Sequence, residues 1–542
     1  MSDLLGTGAS ALRTFQRAIA TTSHNIANVE TEGFSRQRLS LETQSPARGG
    51  DGNHRGNGVR VAGIERIASD FAVTRIHDTT TAHAREATHH DLAIRLDGLF
   101  ADGALDPTSR FAAFFSSLED ASLDPASTTA REMVLDAGEA VADRLRTLQT
   151  QLEQVGGEVD DRRRASVSRV NEMAGAIADL NGRLVETGKG GRAQLSSDLL
   201  DRRDLLASRL AEEVDIETVI QDDGALNVMI GDGVPLVVGR QARALRAVAD
   251  TTRPGRSDIE LGIGSAWQSV GARLHGGELG GLEAFESSTL EPAMQRLGRL
   301  THAFAAAVNE AHVQGVRPDG TAGDDWFSVG PPVARAASAN AGSGELTASV
   351  VDAGQLGATD YRLRFDGSGW RITRTSDGDM TAVAGLPTTL DGLEIGSTGT
   401  PVAGDTFLVS ATRSSASTLD STLIDAQALA LAEAGAGPGA NGNARLLAGL
   451  GRQPLVDGAT FAGDIGVIAG AIGSTTATLA TRSGALESMR NDAIDRRDSL
   501  SGVNLDEEAI ALTRHEQAYQ AAARIISTAD ALFQTVLGAV SR

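Results

Sequence analysis

The 542-residue sequence has no cysteine, and Lys189 is its only lysine. Without cysteine there is no disulfide, thiolate metal ligand or cysteine nucleophile, which suits a reducing cytosol or a chain that travels unfolded without oxidising. The aromatic share of 4% is low and argues against large aromatic cores. The formal net charge of -22, with no cluster of basic residues to offset it, argues against nucleic acid as a partner.

Long apolar segments are also missing. No run of about 18 apolar residues could span a bilayer, and the first twenty residues lack the apolar core of a secretory signal. The sequence therefore predicts no membrane partner and no cleaved signal peptide. If the protein is exported, another route must take it.

Common catalytic motifs cannot be found. Lys189 is not followed by Ser or Thr as a phosphate-binding loop requires, and His515-Glu516 lacks the second histidine of a zinc protease because position 519 is Tyr519. We expect no catalytic residues, no cofactor and no metal. Four histidines on one predicted helix are interpreted as a solvated face rather than a metal site: His77, His83, His89 and His90.

Both ends of the chain carry apolar residues at alternating steps of three and four, which is the seam spacing of a coiled coil. We predict that these seams form the assembly interface. The N-terminal seam includes Leu5, Leu12, Phe15, Ile19 and Ile26. The C-terminal seam includes Leu505, Leu512, Tyr519, Ile526, Phe533, Leu537 and Val540. Asn504 is placed to cap the C-terminal helix.

A second apolar stripe on the C-terminal helix indicates that one partner helix would not cover all of its apolar surface. The stripe consists of Ala518, Ala522, Ile525, Ala529, Leu532 and Val536.

The phrase TTSHNIANVETEGF, residues 21–34, follows the N-terminal seam. Asn disfavours helix interiors and favours helix ends, and Gly33 can adopt a positive φ that other residues resist. We therefore predict a helix-end joint formed by Asn25, Asn28, Gly33 and Phe34, at which the chain turns away from the terminal helix.

Between the ends, the pattern predicts a mainly α fold with β structure: terminal helices forming a coiled coil, a discontinuous helical-bundle domain and an inserted all-β domain. Helical periodicity is predicted over 70–100, 129–152, 158–186, 195–214 and 281–314, with a β-hairpin near 215–240 turning at Asp223-Gly224. Alternation around Tyr361, Leu363 and Phe365, and again from Trp370, predicts strands. The alanine-rich segment 419–489 is predicted to be helical, with a break near 435–443.

These elements suggest five segments. Residues 1–60 form the N-terminal axial helix and connector, which pairs with the C-terminal axial helix of residues 490–542. Residues 61–317 and 416–489 form the two parts of the body, and residues 318–415 form the inserted β domain.

The ends carry a resemblance to a known family. SHNIANVETEGFSRQ resembles the N-terminal signature of bacterial flagellar axial proteins, and SGVNLDEEAIALTRHEQAYQAAARIISTADALFQTVL resembles their C-terminal signature. The interior, including LLDRRDLLASRLAEEVDIETVIQDDGALNV and GDDWF, is similar to the hook-associated members of that family. Glu32, where relatives often have proline, and His515-Glu516, where an aromatic residue and glutamine are common, depart from the signatures without disturbing the seams.

This resemblance implies a structural flagellar protein, not an enzyme, in the junction between hook and filament. The implied partners are copies of itself in a ring or helical zone, hook protein, a second hook-filament junction protein, a cytoplasmic export chaperone at the C-terminal helix and the type III export apparatus. The implied location is the extracellular flagellum. The alternatives are another axial protein of hook or filament type, or an enzyme or adhesin carried by the β insert.

Isolated amphipathic helices are marginal in water because nucleation is costly and their stability comes mainly from packing. We therefore expect the terminal helices, about 39 Å and about 54 Å long at 1.5 Å per residue, to be poorly ordered in the monomer and to become ordered on assembly.

Overall fold

The computed structural model describes residues 2–45, 47–48, 54–55, 57–103, 105–188, 196–437 and 439–540. Within these ranges the α-helices are α1 Ser2–Ala27, α2 Asp70–Ala101, α3 Thr108–Leu123, α4 Thr128–Gly188, α5 Ser197–Glu213, α6 Gly277–Phe285, α7 Glu291–Val313, α8 Gly442–Leu450, α9 Phe461–Ser501 and α10 Leu505–Val540. A π-helical turn, Glu286–Leu290, joins α6 to α7, and short 3-10 turns span Gly271–Arg273, Ser415–Thr418 and Ala426–Ala428.

The strands are short. In chain order they are β1 Gln37–Thr43, β2 Ala47–Arg48, β3 His54–Arg55, β4 Val59–Arg66, β5 Ile216–Ile220, β6 Leu226–Ile230, β7 Val234–Val238, β8 Gln241–Ala242, β9 Leu245–Ala249, β10 Ser257–Ile263, β11 Ala266–Ser269, β12 Gly315–Val316, β13 Phe327–Ser328, β14 Val333–Ala336, β15 Glu345–Val350, β16 Asp360–Phe365, β17 Trp370–Arg374, β18 Met380–Val383, β19 Thr388–Leu390, β20 Leu393–Thr398, β21 Thr406–Ser410, β22 Asp420–Ser421 and β23 Ala432–Glu433. The fold class is confirmed: mainly α, with terminal helices, a helical domain and a β-rich insertion.

The largest hydrophobic core lies among α2, α3, α4, α7, α8 and the first turns of α9. Its centre is aromatic, because Phe114 packs edge-to-face on Phe304 and on Trp326, at centroid distances of 5.7 and 5.3 Å. Phe461 packs on Phe304 from the other side at 5.5 Å. The expectation that no large aromatic core exists was therefore wrong, because the few aromatic residues are concentrated in one place.

A second core belongs to a mixed α/β part of the body, where α4 and α5 cover two small antiparallel sheets. The predicted hairpin is confirmed: β5 pairs with β6 antiparallel, and Gly224 has a φ of +86° in the turn. The sequence reading did not predict the remaining strands of these sheets. β7 and β8 complete a four-stranded sheet, and β9, β10 and β11 form a separate one.

The β insert has its own core between a five-stranded sheet, ordered β14-β21-β16-β17-β18, and a three-stranded sheet, β15-β20-β19. Phe365 pairs with Trp370 across the predicted turn. The insert is narrower than residues 318–415, because β12 pairs with β23 and β13 pairs with β22. These pairs tie 315–328 and 420–433 to the body, and Trp326 and Leu419 are buried in the helical core.

Two predicted helices, 129–152 and 158–186, are one helix of 61 residues. The gap between the two predicted helices contains Gly156 and Gly157, and Gly is a poor helix former. In the structure Leu152, Val155 and Val159 are buried in the helical core on both sides of these glycines, and Leu290 lies against Gly156. Tertiary packing therefore maintains the helix through them.

The predicted helical segment 419–489 is helical only from Gly442 onward, while residues 419–433 are 3-10 turns and short strands. The buried Arg131 guanidinium fixes this irregular segment by donating to the carbonyls of Ala426 and Leu429, at 3.2 and 2.7 Å. Further on, the boundary expected at residue 490 falls inside α9. The helix ends at Ser501, where the Gly502 N–H bonds to the Asp498 carbonyl at 2.8 Å.

Candidate functional site

The terminal helices α1 and α10 pack side by side and run antiparallel. Near one end of the pair, a Cβ added to Gly8 would lie 2.7 Å from Ile526 Cγ1. In the middle, the rings of Phe15 and His515 are 6.4 Å apart. At the other end, the Asn25 side chain bonds to Glu508. We call α1 and α10 the terminal helix pair.

Most of the predicted seam residues on α1 are half-buried: Leu5, Leu12, Phe15, Ile19 and Ile26. On α10 only Leu512 and Ile526 are half-buried, while Leu505, Tyr519, Phe533 and Leu537 are exposed and the side chain of Val540 lies outside the described residues. The buried line of α10 instead runs through Glu508, Ala522 and Ala529, all at most 3% exposed. Small side chains allow the two backbones to approach closely, which leaves the larger side chains at the flanks.

The length of α10 also exposes apolar residues. With Gly8 beside Ile526 and α1 beginning at Ser2, the start of α1 lies opposite about residue 532, one turn and a half beyond Ile526. Phe533 and the residues after it therefore extend past α1. The open surface of α10, defined by its exposed large apolar side chains, comprises Leu505, Ile510, Tyr519, Ile525, Leu532, Phe533, Val536 and Leu537, which are 37–60% exposed.

The predicted helix cap of α10 is confirmed. The Asn504 side-chain oxygen accepts the N–H groups of Asp506 and Glu507, at 3.0 and 3.3 Å. This cap places Glu508 on the first turn of α10, facing the end of α1.

Asn25 does not end α1, although it was predicted to belong to a helix stop. It is 1% exposed, and its amide matches a peptide group of the connector: Nδ2 donates to the Gln37 carbonyl at 2.9 Å and Oδ1 accepts the Gln37 N–H at 3.0 Å. Nδ2 also donates to Glu508 Oε2 at 3.1 Å. One buried amide thereby links α1, β1 and α10.

The three other predicted joint residues lie beyond the end of α1 at Ala27. Asn28 covers the last turn, because its backbone N–H and its Nδ2 both donate to the His24 carbonyl, at 3.2 and 2.9 Å. Gly33 has a φ of +78°, and Leu205 of α5 lies 3.2 Å from where a Cβ would be. Phe34 turns back so that its ring meets the His24 ring edge-on at 5.5 Å.

The residues that follow, Ser35, Arg36 and Gln37, form the centre of the joint and were not predicted. The Arg36 N–H donates to the Ser501 carbonyl at the end of α9, at 2.8 Å. The Arg36 guanidinium donates to Glu508 Oε1 through Nε and to Glu507 through Nη1, both at 2.7 Å. The connector therefore contacts α9 and α10 at one place.

α5 contributes acidic residues to the same joint. The Ser35 N–H donates to Asp201 Oδ2 at 3.2 Å, and Arg66 from β4 donates to Asp201 Oδ1 at 2.7 Å. Burial raises the pKa of Asp201, while Arg66 and the Ser35 N–H act in the opposite direction. Gln37 Nε2 donates to Asp198 Oδ1 at 3.2 Å. We call Asn25, Ser35–Gln37, Asp201 and Glu508 the joint.

The sequence contains a further signal for the joint. Three acidic residues on α5, Asp198, Asp201 and Asp204, recur every three residues and so share one helix face. A basic residue in the connector was a natural partner for such a face. Which acid meets which donor depended on the approach of α5 to β1, and that is a tertiary contact.

The histidine cluster is not a solvated face. His77 and His89 are buried, 3% and 6% exposed, and His89 Nε2 lies 2.9 Å from the Thr289 hydroxyl. Burial, with Arg85 nearby, lowers the pKa of His89 to about 4. In the part of the chain that the structure describes, no three His, Asp or Glu side chains are grouped as a metal ion would require. None of the helices in the described ranges is both long and apolar enough to cross a membrane.

Models of flagellar protein families match this chain along most of its length. Residues 93–327 match the flagellar hook-associated protein FlgK helical domain, and residues 335–411 match the D2-like domain of flagellar hook-associated protein 1. The ends match flagellar rod proteins: residues 5–34 the basal body rod protein model, and residues 498–539 the C-terminal model of the rod FlgEFG proteins. The interior therefore separates this chain from hook and filament proteins.

Whole proteins agree with the family models. Flagellar hook-associated protein 1 of Escherichia coli (strain K12) is 31% identical, and that of Salmonella typhimurium (strain LT2) is 32% identical; each alignment covers 99% of this chain and 100% of the relative. The solved structure of the flagellar hook junction protein FlgK from Burkholderia pseudomallei shares the fold, with a TM-score of 0.72 and 23% identity over 79% of this chain and all of that one. The chain belongs to the flagellar hook-associated protein 1 family of structural proteins of the bacterial flagellum.

Proposed function

We propose that this protein forms the zone that joins hook to filament, and that its terminal helix pair becomes stably folded as it assembles with neighbouring subunits. The observation that carries this proposal is the open surface of α10, whose eight large apolar side chains are 37–60% exposed. Four of these side chains, Leu532, Phe533, Val536 and Leu537, lie within two turns of the helix, and clustered exposed apolar side chains mark interaction sites in soluble proteins.

Neighbouring subunits can add to the contact between α1 and α10. The line of α10 that faces α1 is rich in alanine, and an alanine buries much less apolar area than a leucine. Full burial of a Leu, Ile or Phe contributes roughly 1.5–3 kcal/mol, so covering the exposed half of eight such side chains contributes about 8 kcal/mol per subunit. Neighbouring subunits would therefore add substantially to the stability of α10.

Membership of the hook-associated family supports the partners proposed here. Copies of the same chain form the ring or helical zone, since contacts between different surfaces of identical subunits generate such arrays. Hook protein binds on one side of the zone and a second hook-filament junction protein on the other, outside the cell. A chain without cysteine suits passage through a type III export apparatus in unfolded form, without a cleaved signal peptide.

Before export, the open surface of α10 would be exposed in the cytoplasm. We propose that a cytoplasmic chaperone binds the C-terminal helix and keeps it from premature association. Pull-down of that chaperone with the full chain and with a chain truncated after Leu500 tests the idea. Equal binding of the two chains would refute it.

The assembly model is tested by Phe533→Asp, which places a carboxylate on the open surface of α10, with Gln534→Asp as the matched control. Gln534 is exposed in the same turn and is already polar. We expect Phe533→Asp to leave the calorimetric unfolding of the body unchanged but to prevent incorporation, because a charge buried against a neighbour costs several kcal/mol. Cells carrying the control variant should retain filaments.

Electron microscopy of flagella and quantification of the filament subunit released into the medium measure the outcome. Hooks without filaments, together with lost filament subunit, are expected for Phe533→Asp. Normal junctions built from this variant would refute the packing model.

A further inference from the structure

We propose that Glu508 sets the register in which α10 packs along α1, so that it acts as the positioning residue of the terminal helix pair. The inference rests on the proposed function, in which this pair is the assembling element. It concerns how one alignment is selected among several, a question that the apolar contacts of the pair leave open.

The apolar part of the seam does not select an alignment strongly. The fully buried apolar positions of the pair carry small residues: Ala522 and Ala529 on α10, and Gly8 and Ala18 on α1. Register in a helix pair is usually fixed by large side chains that fit into specific holes, or by a single polar residue in the seam. Apart from Ile526 against Gly8, these small residues give similar contacts after a shift of one heptad, so a buried polar residue would discriminate between the alignments.

Glu508 is the polar residue in that position. It is 2% exposed, whereas Asp506, Glu507, Glu516 and Asp530 on the same helix are exposed. Its two carboxylate oxygens have different donors: Asn25 Nδ2 at 3.1 Å from α1, and Arg36 Nε at 2.7 Å from the connector. Both donors are themselves fixed, since Asn25 is held by the backbone of Gln37 and the Arg36 N–H is held by α9.

A shift of one heptad would remove both donors. In the antiparallel pair it would move Glu508 from Asn25 toward Ala18 in one direction, and past the end of α1 toward Glu32 in the other. Ala18 is buried and offers no donor, and Glu32 carries the same charge. An unpaired buried carboxylate is strongly unfavourable, so the native alignment is the one that pairs it. Removing the carboxylate should therefore loosen the register without removing the apolar seam.

Disulfide trapping can measure the register directly, because the natural chain has no cysteine. Gly8→Cys is combined with Ile526→Cys to report the native alignment, and with Tyr519→Cys or Phe533→Cys to report alignments shifted by one heptad. Each pair is placed in the full-length chain with Glu508→Leu, and with Glu507→Leu as the control. Glu507 is the adjacent carboxylate and also contacts Arg36, but it is exposed. Mild oxidation followed by mass spectrometry quantifies each disulfide.

With Glu508 present, the native disulfide should exceed each shifted one by at least about tenfold, as expected when a shift leaves a buried charge unpaired. Glu508→Leu should bring the ratio to within about twofold, while Glu507→Leu should leave it unchanged. An unchanged ratio in Glu508→Leu would overturn the role of Glu508 and leave the assembly model standing. Absence of a disulfide in all three pairs would overturn the packing of α1 on α10 on which this inference rests, and would leave standing the proposed function, in which the pair becomes stable only on assembly.

Discussion

Replacing Gly298 by alanine sets two physical effects against each other. Gly298 lies in α7, and a Cβ there would be 1.6 Å from the Thr412 carbonyl oxygen and 2.5 Å from its carbonyl carbon. Helix propensity alone predicts that Gly298→Ala stabilises the protein by about 1 kcal/mol. The steric contact predicts the opposite, because two backbone segments would have to move apart by about 1.5 Å to reach ordinary contact.

The segment around Thr412 cannot move freely. His302 of α7 lies with its Nε2 3.3 Å from the Ala411 carbonyl and 2.9 Å from the Ser415 hydroxyl, which holds the chain where it leaves the β insert. Overpacking of a well-packed interior costs about 3 kcal/mol. Subtracting about 1 kcal/mol for helix propensity leaves a net destabilisation of about 2 kcal/mol. For a body of roughly 330 residues, whose unfolding entropy is about 0.7 kcal/mol/K, that corresponds to a fall of about 3 °C in Tm.

Differential scanning calorimetry of the full-length chain is the assay, and Gly175→Ala is the control. Gly175 lies inside α4 with no atom within 4 Å of where a Cβ would be, so the same substitution should stabilise the body by about 1 kcal/mol. The two alanines should therefore shift Tm in opposite directions. A Gly298→Ala protein that melts at or above the natural temperature would refute the close approach of α7 to residue 412.

Two further predictions concern buried titratable groups. Asp360 is fully buried in the β insert, where one of its carboxylate oxygens accepts a hydrogen bond from the Ser410 hydroxyl. Burial raises the pKa of Asp360, so at pH values above the unfolded pKa the ionised carboxylate destabilises the folded state. Asp360→Asn should raise the thermal stability of the insert at pH 7 and lose that advantage near pH 3; an advantage that does not depend on pH would contradict this cause. His89 has a folded pKa of about 4 against 6.5 unfolded, so the unfolded chain binds its proton first and stability should fall as pH drops from 6.5 to about 4. His89→Gln should reduce that fall in urea titrations at several pH values, and an identical pH profile would show that His89 is not the group responsible.

The helices and the hairpin could be predicted from local sequence patterns, because these elements depend mainly on residues that are close together along the chain. The helices α1 and α10, the Asn504 cap and the Asp223-Gly224 turn were predicted from spacing and residue type, and the structure has each of them. The same reasoning failed at residues 156–157 and at 419–433. In the first case buried leucine and valine side chains outweighed two glycines, and in the second Arg131 fixed an alanine-rich segment in an irregular path.

The candidate site also has features that the sequence predicted and features that it did not. The spacing on α10 indicated that it has more apolar surface than one helix can cover, and that surface is open in the structure. The heptads did not identify the residues of α10 that face α1. An apolar pattern favours Leu, Tyr and Phe over Ala, but only small side chains allow the two helix backbones to pack closely. The donors of Glu508 were likewise hidden, since Asn25 and Arg36 are more than 470 residues away along the chain.

By itself, the sequence determined that both ends of this protein are amphipathic helices and that its body is helical with a β insertion, because those properties follow from periodicity and local propensity. Only the tertiary structure decided that a buried carboxylate and two alanines face α1, and that Ser35, Arg36 and Gln37 bring four helices together. The physical reason is that a buried polar group needs a partner at a defined distance and angle, and the positions of such partners are set by the packing of distant segments.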